Sequence, residues 1–166
     1  MNFTIRSAKG ADAAEFLRYL ALVGGESDNL TFGSEGLPFS AEEEAAMLEA
    51  VTPPDVFLLA MAEDQILGNV SLRVDRRARM RHRGQIAISV RREVWGQGIG
   101  SALMQAVIDH ARNFREVEIL NLEVRQDNLR AIRLYEKFGF RKVGTDPALM
   151  KIGGEYIDYD IMQLRL

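Results

Sequence analysis

The segment VWGQGIGS, residues 94–101, places glycines at 96, 98 and 100 where a strand-like stretch gives way to a helical one. Glycine weakens a helix by about 1 kcal/mol relative to alanine, so three of them at a helix start imply a need for bare backbone. Before them, QIAISV reads as a strand. After them, GIGSALMQAVIDHARN has helical period, with Ile99, Leu103, Ala106, Val107 and His110 on one face. The first turn of a helix carries unpaired N–H groups and about half a positive charge. Glycines let an anion reach those groups with no Cβ in the way. A tight strand-to-helix turn would use the same spacing. The phosphate-loop pattern fails because Gly100 is followed by Ser101 with no lysine. The dinucleotide fingerprint fails because Ser101 and Leu103 stand where its third glycine belongs.

The rest of the chain supplies a frame for this junction. FTIRSA reads as a first strand, and KGADAAEFLRYLALV as a helix burying Phe16, Leu17, Leu20 and Val23. GGESDNLTFGSEGLPFS is a long loop, and AEEEAAMLEAV an acidic helix stopped by Pro53 and Pro54. VFLLAMA and QILGNVSLRVD form a hairpin, and RRARMRHRG is a basic connection. VEILNLEV is a strand, DNLRAIRLYEKFGF a helix capped by Asn128 or Asp127, and FRKVGT and EYIDYDIMQLRL the last two strands. The order β-α-α-β-β-β-α-β-α-β-β, without repeat or linker, predicts one mixed α/β domain over residues 1–166 with a largely antiparallel first half.

Composition narrows the chemistry. No cysteine is present, which removes a thiol-bound acyl intermediate and cysteine zinc sites, and two histidines make a histidine metal cage untenable. We therefore expect no metal. Net charge −3 argues against nucleic-acid binding, and no apolar run of spanning or signal length is present, so the expectation is a cytoplasmic protein without membrane contact. Residues 19–72 contain ten acids and no Lys or Arg, whereas residues 73–92 contain eight arginines and one acid, Asp75. Two ligand halves of opposite charge would produce that split, and so would two solvated surfaces.

The chain resembles the GNAT acyltransferases. Their pyrophosphate loop, [Q/R]-x-x-G-x-[G/A], falls on Trp95, Gly96, Gln97, Gly98, Ile99 and Gly100, with Trp95 where the family usually has Gln or Arg. A second motif, LEV-x-x-x-N-x-x-A-x-x-L-Y-x-x-x-G-F, matches at Leu122, Glu123, Val124, Asn128, Ala131, Leu134, Tyr135, Gly139 and Phe140. The nearest branch in motif is the ribosomal-protein alanine acetyltransferases. The resemblance implies the GNAT fold: a mixed, mostly antiparallel central sheet flanked by helices, its strands splayed at the cofactor site.

It also implies acetyl-coenzyme A as cosubstrate, lying along residues 88–101 and 128–135. Backbone groups of Ile88 and Val90 would hold the pantetheine arm, one of them facing the thioester oxygen. The amides of Gln97, Gly98, Gly100 and Ser101 would take the pyrophosphate. Tyr135, which read alone is a core tyrosine, becomes the acid that protonates the departing thiolate. Asn128 caps a helix and contacts the cofactor arm. Glu123 is either an outward strand residue or the general base that the branch places twelve residues before the tyrosine; His82 is a weaker rival base on a loop. The acceptor would be a primary amine of a small molecule or peptide, cationic if Glu26 and Asp28 face the cleft. A homodimer fits the family. A coenzyme-binding sensor that performs no transfer is the alternative reading.

Overall fold

The computed structural model describes residues 2–166. The central sheet has the order β1-β2-β3-β4-β5-β7-β6. Its strands are β1 (Thr4–Ser7), β2 (Val56–Ala62), β3 (Gln65–Val74), β4 (Arg83–Val90), β5 (Ile119–Arg125), β6 (Arg141–Ile152) and β7 (Glu155–Arg165). The helices are α1 (Ala13–Glu26), α2 (Ala41–Glu49), α3 (Ile99–Ala111) and α4 (Leu129–Lys137). Every pairing is antiparallel except that of β4 with β5. The expected order and fold class hold. Among the described residues no helix is long and apolar enough to cross a membrane.

Strand alternation distributes the side chains between two cores. Ile86, Leu120, Leu122 and Val124 pack with Ile99, Leu103, Met104 and Val107 of α3 and with Tyr135 and Phe140. The opposite face buries Phe16, Tyr19, Leu20 and Val23 of α1 against Leu59 and Ile66, with Phe16 meeting Phe57 edge to face at 5.0 Å. The face expected of α3 is turned slightly. Met104, Ile108 and Ala111 are buried, while Ala106 and His110 are only half-buried. Those two line a hollow of about 790 Å³ beside β1 and β2. Its principal charged and ring groups are already paired: Arg6 with Asp12 at 2.7 Å, Asp55 with Arg76 at 3.3 Å, and His110 Nε2 with the Pro54 carbonyl at 2.9 Å.

Several boundaries differ from the sequence expectation. The α1 helix continues through Gly24 and Gly25 to Glu26, and β6 runs past Thr145 to Ile152 as half of a long hairpin. Hydrogen bonding to β7 carries β6 across its bulges where local turn-forming residues argue against a strand. Ser40 starts α2 with a reciprocal cap: its Oγ accepts from Glu43 N at 3.1 Å and its N donates to the Glu43 carboxylate at 2.8 Å.

Gly24 allows the loop after α1 to fold back over the sheet. A Cβ there would stand 2.1 Å from the Gly33 carbonyl oxygen and 2.9 Å from the Phe32 ring, whereas at exposed Gly25 it would meet only Ser34 at 3.2 Å. Overpacking against backbone costs about 1–3 kcal/mol. Urea denaturation should therefore find Gly24→Ala destabilised by that order and Gly25→Ala affected less. Equal losses would contradict this packing.

Candidate active site

The sheet opens in its middle. Ladder pairing between β4 and β5 is confined to Arg83, Gly84 and Gln85 opposite Ile119, Leu120 and Asn121. Beyond them each strand has a ladder partner only on its outer side. Arg91 N bonds the Leu67 carbonyl and Asp75 N the Arg83 carbonyl, so odd-numbered β4 residues spend their backbone groups on β3. Ile88 and Val90 therefore aim theirs into the opening. By the same alternation, Gln126 N bonded to the Asp158 carbonyl and Leu166 N to the Glu118 carbonyl assign even β5 residues to β7. That leaves the backbone of Glu123 and Arg125 facing the gap.

This opening is part of a cleft of about 670 Å³ that continues to the glycine loop and the first turn of α4. Gly96 (φ +78°) and Gly98 (φ +89°) occupy the left-handed region, and a Cβ on either would meet no atom within 4 Å. They serve backbone conformation and leave open space in front of the loop. Gly100 has a different reason: its Cβ would lie 3.2 Å from Leu134 Cδ2, where α3 and α4 converge. With Gly98 as N-cap, the N–H groups of Ile99, Gly100 and Ser101 form the first turn of α3 and have no protein acceptor among the described residues. Together with the dipole of a 13-residue helix they make an anion site.

Two loop residues spend polar groups within the protein, and Gln97 thereby departs from expectation. The Gln97 amide donates to the Val94 carbonyl at 3.3 Å and its side chain to the Glu93 carbonyl, so it is not among the free donors. Trp95 does not leave a vacancy: its indole N–H donates to the Val90 carbonyl at 2.8 Å. That leaves the Val90 amide, not its carbonyl, open toward the gap. Arg130, which the sequence reading passed over, lies across the Trp95 ring with its guanidinium carbon 3.0 Å from the centroid.

The two walls carry different chemistry. On the α3–α4 side, Tyr135 is buried at 7% exposure and lines the cleft. Its hydroxyl has no hydrogen-bond partner among the described residues, and burial pushes its pKa up to about 12 against the pull of Arg130. Asn128 caps α4 through Oδ1, accepting from Ala131 N at 3.2 Å, and also lines the cleft. On the α1 side, Glu123 is an exposed carboxylate between buried Leu122 and Val124 and reaches the cleft. Nearby, the Tyr159 hydroxyl donates to the Asn29 carbonyl at 3.2 Å, and Arg125 forks onto Asp127 at 2.6 and 2.9 Å. Ser89 Oγ donates to Asn69 Oδ1 at 2.6 Å, so the 2.8 Å contact with Tyr19 has the phenol donating. Burial raises the Tyr19 pKa. This chain of hydroxyls fastens α1 to β4 beside the opening.

His82 stands at the closed end of β4, its carbonyl accepting from Glu118 and Ile119, and does not line the cleft. Glu26 reaches the cleft, but its carboxylate accepts from Arg92 N at 2.7 Å. Asp28 does not line it; its carbonyl accepts from Arg125 at 3.2 Å. The two charge blocks of the sequence meet directly where Asp55 pairs with Arg76 at 3.3 Å, whereas Glu26 is held by the backbone amide of Arg92 and not by its charge. Arg91 pairs with Glu93 at 2.6 Å and does not line the cleft.

Residues 26–140 match the acetyltransferase (GNAT) family model. The L-amino acid N-acetyltransferase AaaT of Escherichia coli (strain K12) is 33% identical over 101 residues, which span 61% of this chain and 62% of that protein. The GNAT-family acetyltransferase structure from Streptococcus pneumoniae superposes with a TM-score of 0.94 at 31% identity, covering 99% of this chain and all of that one. The ribosomal-protein-alanine N-acetyltransferase from Brucella melitensis gives 0.83 at 27% identity, covering 98% and 99%.

Because Gly98 has a positive φ, any other residue there costs about 1–3 kcal/mol of strain or rearranges the loop. Calorimetric titration with acetyl-coenzyme A should show Gly98→Val and Gly100→Val each losing most of the affinity. Undiminished affinity in either would contradict the reading of the loop as an anion site.

Proposed function

The chain belongs to the GNAT acetyltransferase family, and from that membership we propose that it transfers the acetyl group of acetyl-coenzyme A to a primary amine by direct attack in a ternary complex. The observation that carries this reading is the β4–β5 gap ending at the glycine loop. It offers unpaired backbone groups for an extended amide-bearing arm, then a helix N-terminus for a pyrophosphate. The whole of residues 1–166 is taken as one catalytic domain, acting in the cytoplasm. Homodimerisation belongs to the same reading, as a family habit.

The pantetheine amides would pair with Ile88 and Val90, as a strand pairs with a sheet edge. An inward N–H at one of them would face the thioester oxygen, where charge develops during attack. Gly96, Gly98, Ile99, Gly100 and Ser101 would hold the pyrophosphate, and Asn128 the arm. The amine nitrogen attacks the thioester carbonyl carbon; the C–S bond then breaks, and the sulfur leaves with its electron pair. Two protons must move. The one lost by the amine goes to Glu123, directly or through water, on the α1 side. The one gained by the thiolate comes from Tyr135 on the opposite wall. A phenol near pKa 12 stays protonated across neutral pH, so the donor is in its working form. A thiol has an ordinary pKa of about 8.5, so the buried phenol is the weaker acid, and transfer requires close positioning.

Acceptors would enter past Ser27, Asn29, Leu30, Thr31, Phe32, Glu123 and Tyr159. The cationic acceptor proposed from charge now rests on Glu123 and Glu26, since Asp28 lies outside the cleft and Arg125 is neutralised by Asp127. An amino-acid acceptor, as in the name of AaaT, falls within the same class of primary amine.

Release of coenzyme A thiol, followed against a panel of polyamines, aminoglycosides, amino acids and peptides, tests the function. Turnover with at least one amine is expected; tight coenzyme binding without turnover would favour a sensor. Tyr135→Phe should lower kcat by about 10²–10⁴-fold and leave coenzyme affinity intact. Glu123→Gln should lower kcat/KM most at neutral pH and recover as the amine deprotonates. A pH profile identical to wild type would remove Glu123 as the base.

A further inference from the structure

Arg130 is a solvent-exposed cation with no anionic partner among the described residues. It is the second residue of α4, it forms neither an ion pair nor a hydrogen bond among the described residues, and the Trp95 ring supports it at 3.0 Å. Partial desolvation and the charge of Arg92, whose guanidinium lies 5.8 Å from the same ring, both oppose its protonated form. A guanidinium stacked on an aromatic face keeps its in-plane N–H fork unspent. That fork borders the same cleft as Gly96, Gly98, Gly100 and Ser101, and Trp95 is the chain neighbour of Gly96.

We propose that Arg130 is a phosphate-binding residue, donating to the coenzyme A pyrophosphate from α4 while the α3 N-terminus donates from α3. Trp95 would then be its positioning residue. The indole is itself oriented by its bond to the Val90 carbonyl, so the ring offers the guanidinium a fixed face beside Gly96. The side-chain donor that Trp95 cannot supply is thereby supplied across the cleft. Relief of the repulsion between Arg92 and Arg130 adds to the gain, because an anion between them screens each from the other. This inference rests on the reading of the cleft as the acetyl-coenzyme A site.

The test is calorimetric affinity for coenzyme A and for 3′-dephospho-coenzyme A. The proteins compared are wild type, Arg130→Gln, Trp95→Arg and the double variant, each checked for an intact fold by circular dichroism. Arg130→Gln should weaken both ligands about tenfold or more, as for loss of a charge-assisted hydrogen bond, and should flatten the salt dependence of binding. Adding Trp95→Arg to Arg130→Gln should restore most of the loss, since a guanidinium then returns to the loop. Unchanged affinity in Arg130→Gln with normal wild-type binding overturns the role of Arg130 alone. Loss confined to coenzyme A, with the dephospho form unaffected, overturns the pyrophosphate assignment in favour of the 3′-phosphate. Failure of the wild type to bind either ligand overturns the underlying site reading.

Discussion

Two strands that pair over three residues and then part create the opening on which the proposed function rests. A strand edge inside a sheet is costly to leave dry, because each unpaired backbone group forfeits about 1–3 kcal/mol. Here the parting is held open from outside. The β3 strand fixes β4, β7 fixes β5, and the Tyr19–Ser89–Asn69 chain fastens the β4 side to α1. At the closed end, Gly84 lets Leu72 and Leu120 come together: a Cβ there would stand 2.5 Å from one and 3.2 Å from the other. The open end faces a cleft wide enough for a ligand to complete the ladder.

The parting also separates the chemistry. Strand alternation sends Leu122 and Val124 to the α3–α4 side and Glu123 to the α1 side. A carboxylate able to accept a proton therefore stands on one wall and a buried phenol able to donate one on the other. A thioester lying in the gap would present its carbonyl to the first and its sulfur to the second. The glycine loop sets the position of such a ligand along the gap, since the free amides of α3 begin directly where β4 and its following turn end.

Much of this was legible in local sequence because local sequence determines it. The strand–glycine–helix junction is written in the contiguous residues 85–101, and Asn128 caps α4 as its position before the helical run requires. What could not be read was pairing across distance. Residues 95 and 130 meet only because α4 packs beside the loop, and no spacing announces a guanidinium on an indole. The fate of the acids was hidden for the same reason: Glu26 reaches 66 residues ahead to the Arg92 amide, and Glu49 back to Gly10. Gln97 was misjudged because a 3-10 turn at Arg92–Val94 precedes the loop and claims its amide. The length of β6 follows from its partner β7, a nonlocal cause.

The central claim is that acetyl-coenzyme A completes the open edge of β4 and caps α3. Amide hydrogen exchange with and without the ligand tests it most directly. The account predicts slowed exchange at Ile88 and Val90 and at residues 98–101, with Gln97 and the amides of β6 unchanged. Protection absent from Ile88 and Val90, or concentrated instead around Ser7, Asp55 and His110 at the other hollow, would contradict it.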